Sequence, residues 1–327
     1  MTKTVNWGIL GPGKIAEKFA QGLKFVPNAK LLAVGSRSAE NANEFAKKHG
    51  VSRAYSSYEK LVTDPEIDVV YIATPHIFHC EHSLLCLENE KAVLCEKPFA
   101  MNEKEVNSMI SKAHEKNVFL MEALWTRFLP TILKTLEIIK DGTIGDVIHI
   151  KSDFGFKPPF DPMSRLFNRD LGGGSLLDIG IYPVFIALLL LGEPYEIKAS
   201  AFLGKTGVDE NLSIIFNYKN GQFATLFSTL LAETSVETDI YGTKGRIRIN
   251  RMWHIPTTIS LTLNNGTSET IEFDCKGNGY EFEAIEVTNC LIHGLKQSPS
   301  MTHDFSLKLI KTLDKIRNMC GIKYSAD

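Results

Sequence analysis

The chain has 327 residues, 44% hydrophobic and 23% charged, with 36 Lys and Arg against 38 Asp and Glu for a formal net charge of −2. That length favours two domains, and that balance of apolar to charged residues belongs to folded globular chains rather than disordered ones. No Lys/Arg cluster is dense enough to track a phosphate backbone, and the longest apolar stretch, 184–191, is too short to cross a bilayer, so neither nucleic acid nor membrane is expected as a partner. The first residues lack the apolar core of a signal peptide, and the six cysteines include no CxxC pair; reduced thiols and a cytoplasmic location are expected.

The first third alternates β-rich runs with helical patterns. Strands are expected at 5–10, 31–36, 54–55, 69–73, 92–96 and 118–123, with helices at 15–23, 39–49, 56–63, after 74 to about 89, and at 103–116. Ser38 is a candidate N-cap, and Ser56 with Glu59 has the spacing of a capping box. The run 69–73 is almost wholly apolar, as expected of a strand covered on both faces, and strand-helix alternation of this kind implies a doubly wound parallel sheet. From 124 the pattern changes. A helix at 131–140 and a long strand at 146–156 lead into a loop at 157–174, long enough to be functional. A helix at 175–191 follows, then strands at 197–203, 212–218, 223–230, 236–241, 246–249, 258–263 and 270–273, punctuated by turn residues such as Asn220-Gly221. Helices at 280–293 and 305–319 close the chain. The expected fold class is α/β: a Rossmann-type domain at 1–123 and a C-terminal α/β domain at 124–327 with a large, mostly antiparallel open sheet.

Gly11-Pro12-Gly13-Lys14-Ile15-Ala16 falls between the first strand and the first helix. In such a turn Gly11 permits the tight bend, Gly13 lets the backbone approach a pyrophosphate, and Ala16 allows close helix–strand packing, with the helix N-terminus facing the phosphates. An NAD site would place an acidic residue at the end of the second strand. This chain has Ser36, Arg37 and Ser38 there, a set suited to a 2′-phosphate, which points to NADP over NAD. Glu96-Lys97-Pro98 ends the fifth strand at the carboxyl edge of the sheet, where Lys97 is either a group that polarises a hydroxyl or a snorkelling surface lysine. Asp178 and Tyr182, four apart after the glycines 172–174, share one helix face; they form either an acid/base pair or a first-turn acid and a core aromatic.

Taken together, Gly11 to Ala16, Glu96-Lys97-Pro98, Met121 to Phe128 and Gly172 to Pro183 resemble the Gfo/Idh/MocA oxidoreductases. Within that family they are most similar to the branch holding trans-dihydrodiol dehydrogenase, NADP-dependent D-xylose dehydrogenase and glucose-fructose oxidoreductase. The resemblance implies hydride transfer with a nicotinamide cofactor, and a C-terminal sheet that builds a homodimer or homotetramer. It implies Lys97 near the reacting hydroxyl, Tyr182 as acid/base and Asp178 at its side; Tyr182 stands where many members have His, which argues against inositol as substrate. It further implies that Trp125, Arg127 and Phe154 line the substrate pocket, and that Thr74, Pro75, His76 and His79 lie at the cofactor's edge, with Glu96 and Lys97 beyond them. Arg165, Asn168 and Arg169 in the long loop contact substrate oxygens or close over the cofactor, or are solvated charges. His79, His82 and Cys86 have helical zinc-ligand spacing, but no second pair of ligands is evident, so no metal is expected.

The function expected is NADP-linked oxidation of a sugar, polyol or cyclic diol, or reduction of the matching carbonyl. Two rivals are a dinucleotide-using glycoside hydrolase and a non-catalytic dinucleotide sensor.

Overall fold

The computed structural model describes residues 3–325 and 327. Among these the strands form two sheets, one of six and one of eight, in two compact units: residues up to Phe128 with Cys275–Leu307, and Leu129–Asp274 with Lys308–Asp327.

The first unit contains β1 (Val5–Leu10), α1 (Lys14–Leu23), β2 (Ala29–Gly35), α2 (Ala39–His49), β3 (Arg53–Tyr55), α3 (Tyr58–Val62), β4 (Val69–Ile72), α4 (His79–Glu88), β5 (Ala92–Glu96), α5 (Glu103–Lys116) and β6 (Leu120–Ala123). Its strands are parallel in the order β3-β2-β1-β4-β5-β6, so the direction of winding reverses between β1 and β4. Ligands of open α/β sheets bind outside the strand ends at such a switch point. Every residue of β4 and β5 is buried, the consequence of helices on both faces. Ser38 caps α2 by accepting from the Asn41 N–H, and Gly50 ends that helix in the left-handed region. The cap of α3 differs from expectation by one residue. Ser57, not Ser56, accepts the Lys60 N–H, so the box with Glu59 does not form.

The expected boundary at 123/124 is corrected by a return of the chain. The helix α8 (Tyr280–Ile292) packs on α1 and on the turn Trp125–Phe128, and the reason is aromatic: Phe19 stacks on Tyr71 at 3.7 Å, meets Tyr280 edge-on at 6.5 Å, and Tyr280 stacks on Trp125 at 4.1 Å. Asn278 Nδ2 donates to Lys18 O, and His303 Nε2 lies 2.9 Å from Leu120 O, so polar ties accompany the apolar ones. The next helix, α9 (His303–Cys320), begins in this unit and ends in the other.

The second unit contains α6 (Pro130–Lys140), β7 (Val147–Gly155), α7 (Ile181–Leu191), β8 (Glu196–Leu203), β9 (Asp209–Asn217), β10 (Phe223–Thr229), β11 (Thr238–Gly242), β12 (Gly245–Ile249), β13 (Ile259–Leu263) and β14 (Ser268–Ile271). The sheet order is β14-β13-β12-β11-β7-β10-β9-β8, with β7 and β10 parallel and the other pairs antiparallel. Alternation in β9 divides its two faces: Leu212, Ile214 and Phe216 are buried, while Ser213 and Ile215 are exposed. On the exposed side His149 of β7 is flanked by Phe223 at 5.0 Å and Tyr241 at 5.7 Å. The buried side receives α7, whose first eight residues are all buried and which packs on β7 and β10. Sequence alone showed eight contiguous apolar residues here. The helical run 169–191 is in fact long and apolar enough to span a bilayer, with a mean hydropathy of 2.1 in its most apolar 18-residue window, but 83% of that window is buried in the protein. An all-apolar helix is what a fully enclosed core position requires.

Candidate functional site

The glycine turn sits at the switch point of the first sheet. Gly11 has φ +92°, its N–H donates to Gly35 O at 3.0 Å, and a Cβ there would crowd Thr74 Cγ2 at 2.9 Å. A Cβ on Gly13, in contrast, would meet nothing within 4 Å: the chain leaves open space beside the start of α1. Gly13 is the N-cap of α1 without a side-chain acceptor, so the N–H groups of the first turn face that space, an arrangement suited to phosphate oxygens. Pro12 is half-buried there, Lys14 is exposed and Ile15 is half-buried.

Beyond β2, Ser36 is buried and its Oγ accepts the Ser38 N–H, while Arg37 is exposed with its guanidinium carbon 5.9 Å from the Phe78 ring. Arg37, Thr74 and Pro75 line one cavity of about 470 Å³ together with Tyr58, Phe78 and His82. His82 Nδ1 is 3.0 Å from Thr74 Oγ1, Tyr58 meets the His82 ring edge-on at 4.7 Å, and burial pulls the His82 pKa down to about 4, so this ring is neutral. The rings and the guanidinium offer flat faces on which a base can stack, with Arg37 at hand for an anionic substituent. Tyr58 and Phe78 were not singled out from the sequence, where they read as helix residues, and His82 was weighed there as a zinc ligand rather than as a wall of this cavity.

Around Lys97 the predicted residues separate into lining and support. Glu96 is buried; its Oε1 accepts the Tyr71 hydroxyl and its Oε2 the Lys97 N–H at 3.2 Å. The Lys97–Pro98 peptide is cis. His79, expected at the cofactor's edge, is instead fully buried, with Nδ1 2.7 Å from Pro98 O and Nε2 2.9 Å from Thr74 O. Burial draws its pKa down to about 4, against the two carbonyls, which favour the protonated ring; the neutral ring donates its one N–H to one of them and stands between the 74–75 and 97–98 segments. His76, half-buried, opens the single turn before α4, its ring 5.6 Å from His79. On the far side of the turn, Glu122 Oε1 accepts the Phe99 N–H at 3.1 Å. Glu283 on α8 is fully buried, and both burial and Glu96 push its carboxyl well above the usual range. Trp125 is buried against Tyr280, and Arg127 donates from Nε to Ser300 O at 2.9 Å, with burial lowering its pKa.

In the second unit the expected helix from 175 opens as a wider π turn, Leu176–Gly180, and becomes α-helical at Ile181. Gly180 makes this possible, because a Cβ would press on Ser228 Oγ of β10 at 2.8 Å. Asp178 and Tyr182 are both buried. Arg165 reaches from the long loop to Asp178, with Nη1 donating to Oδ1 at 2.7 Å, so the structure pairs two of the predicted residues directly. Tyr182 lies 5.6 Å from Phe154, 5.5 Å from His254 and edge-on to Trp253 at 6.4 Å, and Phe154 lies 4.1 Å from His254. Phe154, expected to line the substrate pocket, thus stands beside Tyr182. His254 and Trp253 were missed, since they fall between two strands in a stretch with no motif.

Behind the π turn, Asp209 Oδ2 accepts the Ser175 hydroxyl at 2.8 Å and the Leu176 N–H at 2.7 Å. Burial pushes its carboxyl from 3.8 up to about 6. The folded pKa is the higher one, so the stability this group contributes is fully present below pH about 4 and is lost as pH rises through about 6. At pH 7 the buried carboxylate costs about 3 kcal/mol. Asp209→Asn is therefore expected to gain stability over the wild type between pH 5 and pH 7 in urea titrations; a difference that does not change with pH would refute the assignment.

A parallel sheet with this glycine turn at its switch point defines a dinucleotide-binding α/β protein. The chain belongs to the GFO/IDH/MocA oxidoreductase family: residues 5–124 match its NAD-binding Rossmann-fold model, and residues 132–248 match its C-terminal domain. It is 40% identical over 332 residues to the trans-1,2-dihydrobenzene-1,2-diol dehydrogenase of Xenopus laevis, covering 98% of this chain and 99% of that one. Similar solved structures include the aldose-aldose oxidoreductase of Caulobacter crescentus (TM-score 0.89, 23% identity, 98% of each chain). Another is the 3-ketoreductase KijD10 of Actinomadura kijaniata in complex with NADP (TM-score 0.85, 21% identity, 97% of this chain and 98% of that one). At those identities the likeness is one of fold.

Proposed function

We propose that the chain is an NADP-dependent dehydrogenase or reductase acting on a CH–OH group of a sugar, polyol or cyclic diol. The observation that carries this reading is Tyr182, a buried phenol held among Phe154, Trp253 and His254 one turn after the Arg165–Asp178 pair. The substrate class is supported by the diol and aldose named for the relatives above, and the cofactor by the NADP of the ketoreductase and by the Arg37 cavity. When bound, the nicotinamide supplies the carbon that accepts or returns a hydride. Tyr182 takes the hydroxyl proton, Asp178 with Arg165 fixes the turn that carries it, and Lys97 adds positive charge that favours the alkoxide. The walls beside Tyr182 are aromatic, which suits the face of a ring and keeps water from the phenol. The open side of the C-terminal sheet, where Phe223 and Ile215 are each about two-fifths exposed, supports a homodimer or homotetramer, and a cytoplasmic location accords with the free cysteines.

The test is absorbance of reduced nicotinamide while the purified protein meets NADP and then NAD, with aldoses, inositols and trans-diols as substrates. Turnover of a hydroxyl substrate with net cofactor reduction supports the reading. Glycoside cleavage without net reduction, or cofactor binding with no reaction, supports one of the rivals. Arg37→Ala is expected to raise KM for NADP by roughly ten- to a hundredfold, the worth of a charge-assisted contact, and to change KM for NAD less than twofold. Equal effects on both cofactors would place the 2′-phosphate elsewhere.

A further inference from the structure

The loop that leads into the Tyr182 turn is folded on itself: the Asn168 and Gly173 N–H groups donate to Ser164 O and Asn168 O, and the Gly174 N–H to Leu166 O. The segment after α9 ties this loop down. That helix ends at Cys320, Gly321 turns the chain with φ +69°, and the next residues meet the loop. Arg169 Nε donates to Lys323 O at 2.8 Å and the Ser325 hydroxyl to Asp170 Oδ1 at 2.5 Å, so two surface contacts flank one buried side chain, Tyr324, which is 3% exposed. The buried Arg317 lies with its guanidinium carbon 4.7 Å from the centre of the Tyr324 ring, and Asp327 accepts the Tyr324 N–H at 2.8 Å while pairing with Arg317.

These contacts aim the phenol at the glycines. The point where a Cβ would stand on Gly174 is 3.3 Å from the Tyr324 hydroxyl and in collision with Asp209 Oδ1, so the two oxygens face each other across the bare glycine. Asp209 Oδ2 is engaged by Ser175 and Leu176; among the described residues neither Oδ1 nor the Tyr324 hydroxyl has a hydrogen-bond partner. Phenol and carboxylate complement one another as donor and acceptor, and at this separation the bond needs a small side-chain shift or one bridging water. Phenylalanine would pack under Arg317 as well; what tyrosine adds is a donor aimed at the carboxylate that holds the π turn.

We infer that Tyr324 is a positioning residue for the turn bearing Asp178 and Tyr182: its hydroxyl is the donor for Asp209 Oδ1, which leaves Oδ2 to hold Ser175 and Leu176. The inference rests on Tyr182 carrying the acid/base hydroxyl, as proposed above.

The experiment compares the full-length wild type with Tyr324→Phe, Asp209→Asn and the double variant at pH 8, where Asp209 is ionised. Tyr324→Phe is expected to lower kcat roughly three- to tenfold, the worth of one hydrogen bond of ordinary strength. KM for the cofactor is expected to stay within about twofold, since the glycine turn and the Arg37 cavity belong to the other unit. In the Asp209→Asn background the same change is expected to cost less than about twofold, because asparagine turns an NH2 rather than an acceptor toward the phenol. A residue that only fills space costs the same in both backgrounds, so additive losses overturn the proposal. A second readout is independent of turnover. Amide hydrogen exchange across 174–182 is expected to run roughly tenfold faster in Tyr324→Phe, with the first sheet within about twofold of the wild type. Wild-type exchange across 174–182 in the folded variant overturns the proposal, whatever its activity. If the wild type turns over no substrate, the proposed function fails, and the exchange measurement still decides this one.

Discussion

Tyr182→Phe is expected to lose roughly 10²- to 10⁴-fold in kcat, the range for removing a positioned acid/base group, with cofactor affinity unchanged. Phenylalanine keeps the ring that packs on Phe154, His254 and the edge of Trp253, so the loss is confined to one hydroxyl. The turn that carries it is anchored independently, by Arg165 on Asp178 and by Asp209 on Ser175 and Leu176. The variant is thus expected to melt within a degree or two of the wild type, which separates a chemical effect from a folding one. The check is kcat at saturating cofactor together with a cofactor titration by fluorescence. A variant that retains more than a tenth of the wild-type kcat would remove Tyr182 from the proton-transfer role.

Gly174→Ala is expected to cost about 3 kcal/mol or more, or to prevent folding. Two causes act at once. Gly174 has φ +118°, a conformation L side chains rarely adopt, and a Cβ there would overlap Asp209 Oδ1, with the Tyr324 hydroxyl 3.3 Å away. Asp209 is not able to retreat without releasing Ser175 and Leu176, to which its other oxygen is bonded. Gly50→Ala serves as the control, since Gly50 also has a positive φ, +69°, in the left-handed helical region, and a Cβ there meets nothing within 4 Å. Its cost is expected to be about 1 kcal/mol, from backbone strain alone. Equal losses for the two variants in urea denaturation would show that the close approach to Asp209 is not what matters.

Much of the first sheet was legible because its information is local. The apolar runs at 69–72 and 92–96, the Ser38 and Gly50 caps of α2 and the glycine turn are each readable within ten residues, and the structure places them within a residue or two of expectation. Lys97, Asp178 and Tyr182 were visible only because each stands in a motif. What surrounds them was not. His79 has the same sequence signature whether it lines a cavity or is buried under one, and what distinguishes the two cases is the position of Pro98 O, nineteen residues on. His254 and Trp253 meet Tyr182 across some seventy residues of chain, and Glu122 faces the Lys97 turn from the neighbouring strand; periodicity carries no trace of such pairings. The return of 275–307 to the first unit was hidden for the same reason, since α8 shows an ordinary amphipathic pattern that does not name its partner.

That return bears on how the protein is made. During synthesis the six strands of the first sheet leave the ribosome early, yet the ring that stacks on Trp125 and lies edge-on to Phe19 belongs to Tyr280 and emerges only near the end of translation. Until then Phe19, Tyr71 and Trp125 are without their cover, and at roughly 5–20 residues per second the interval lasts on the order of ten seconds. The amino-terminal unit is therefore begun first but stays unfinished until residues 275–307 have been made, and a nascent chain stalled before residue 275 exposes the aromatic surface that chaperones recognise.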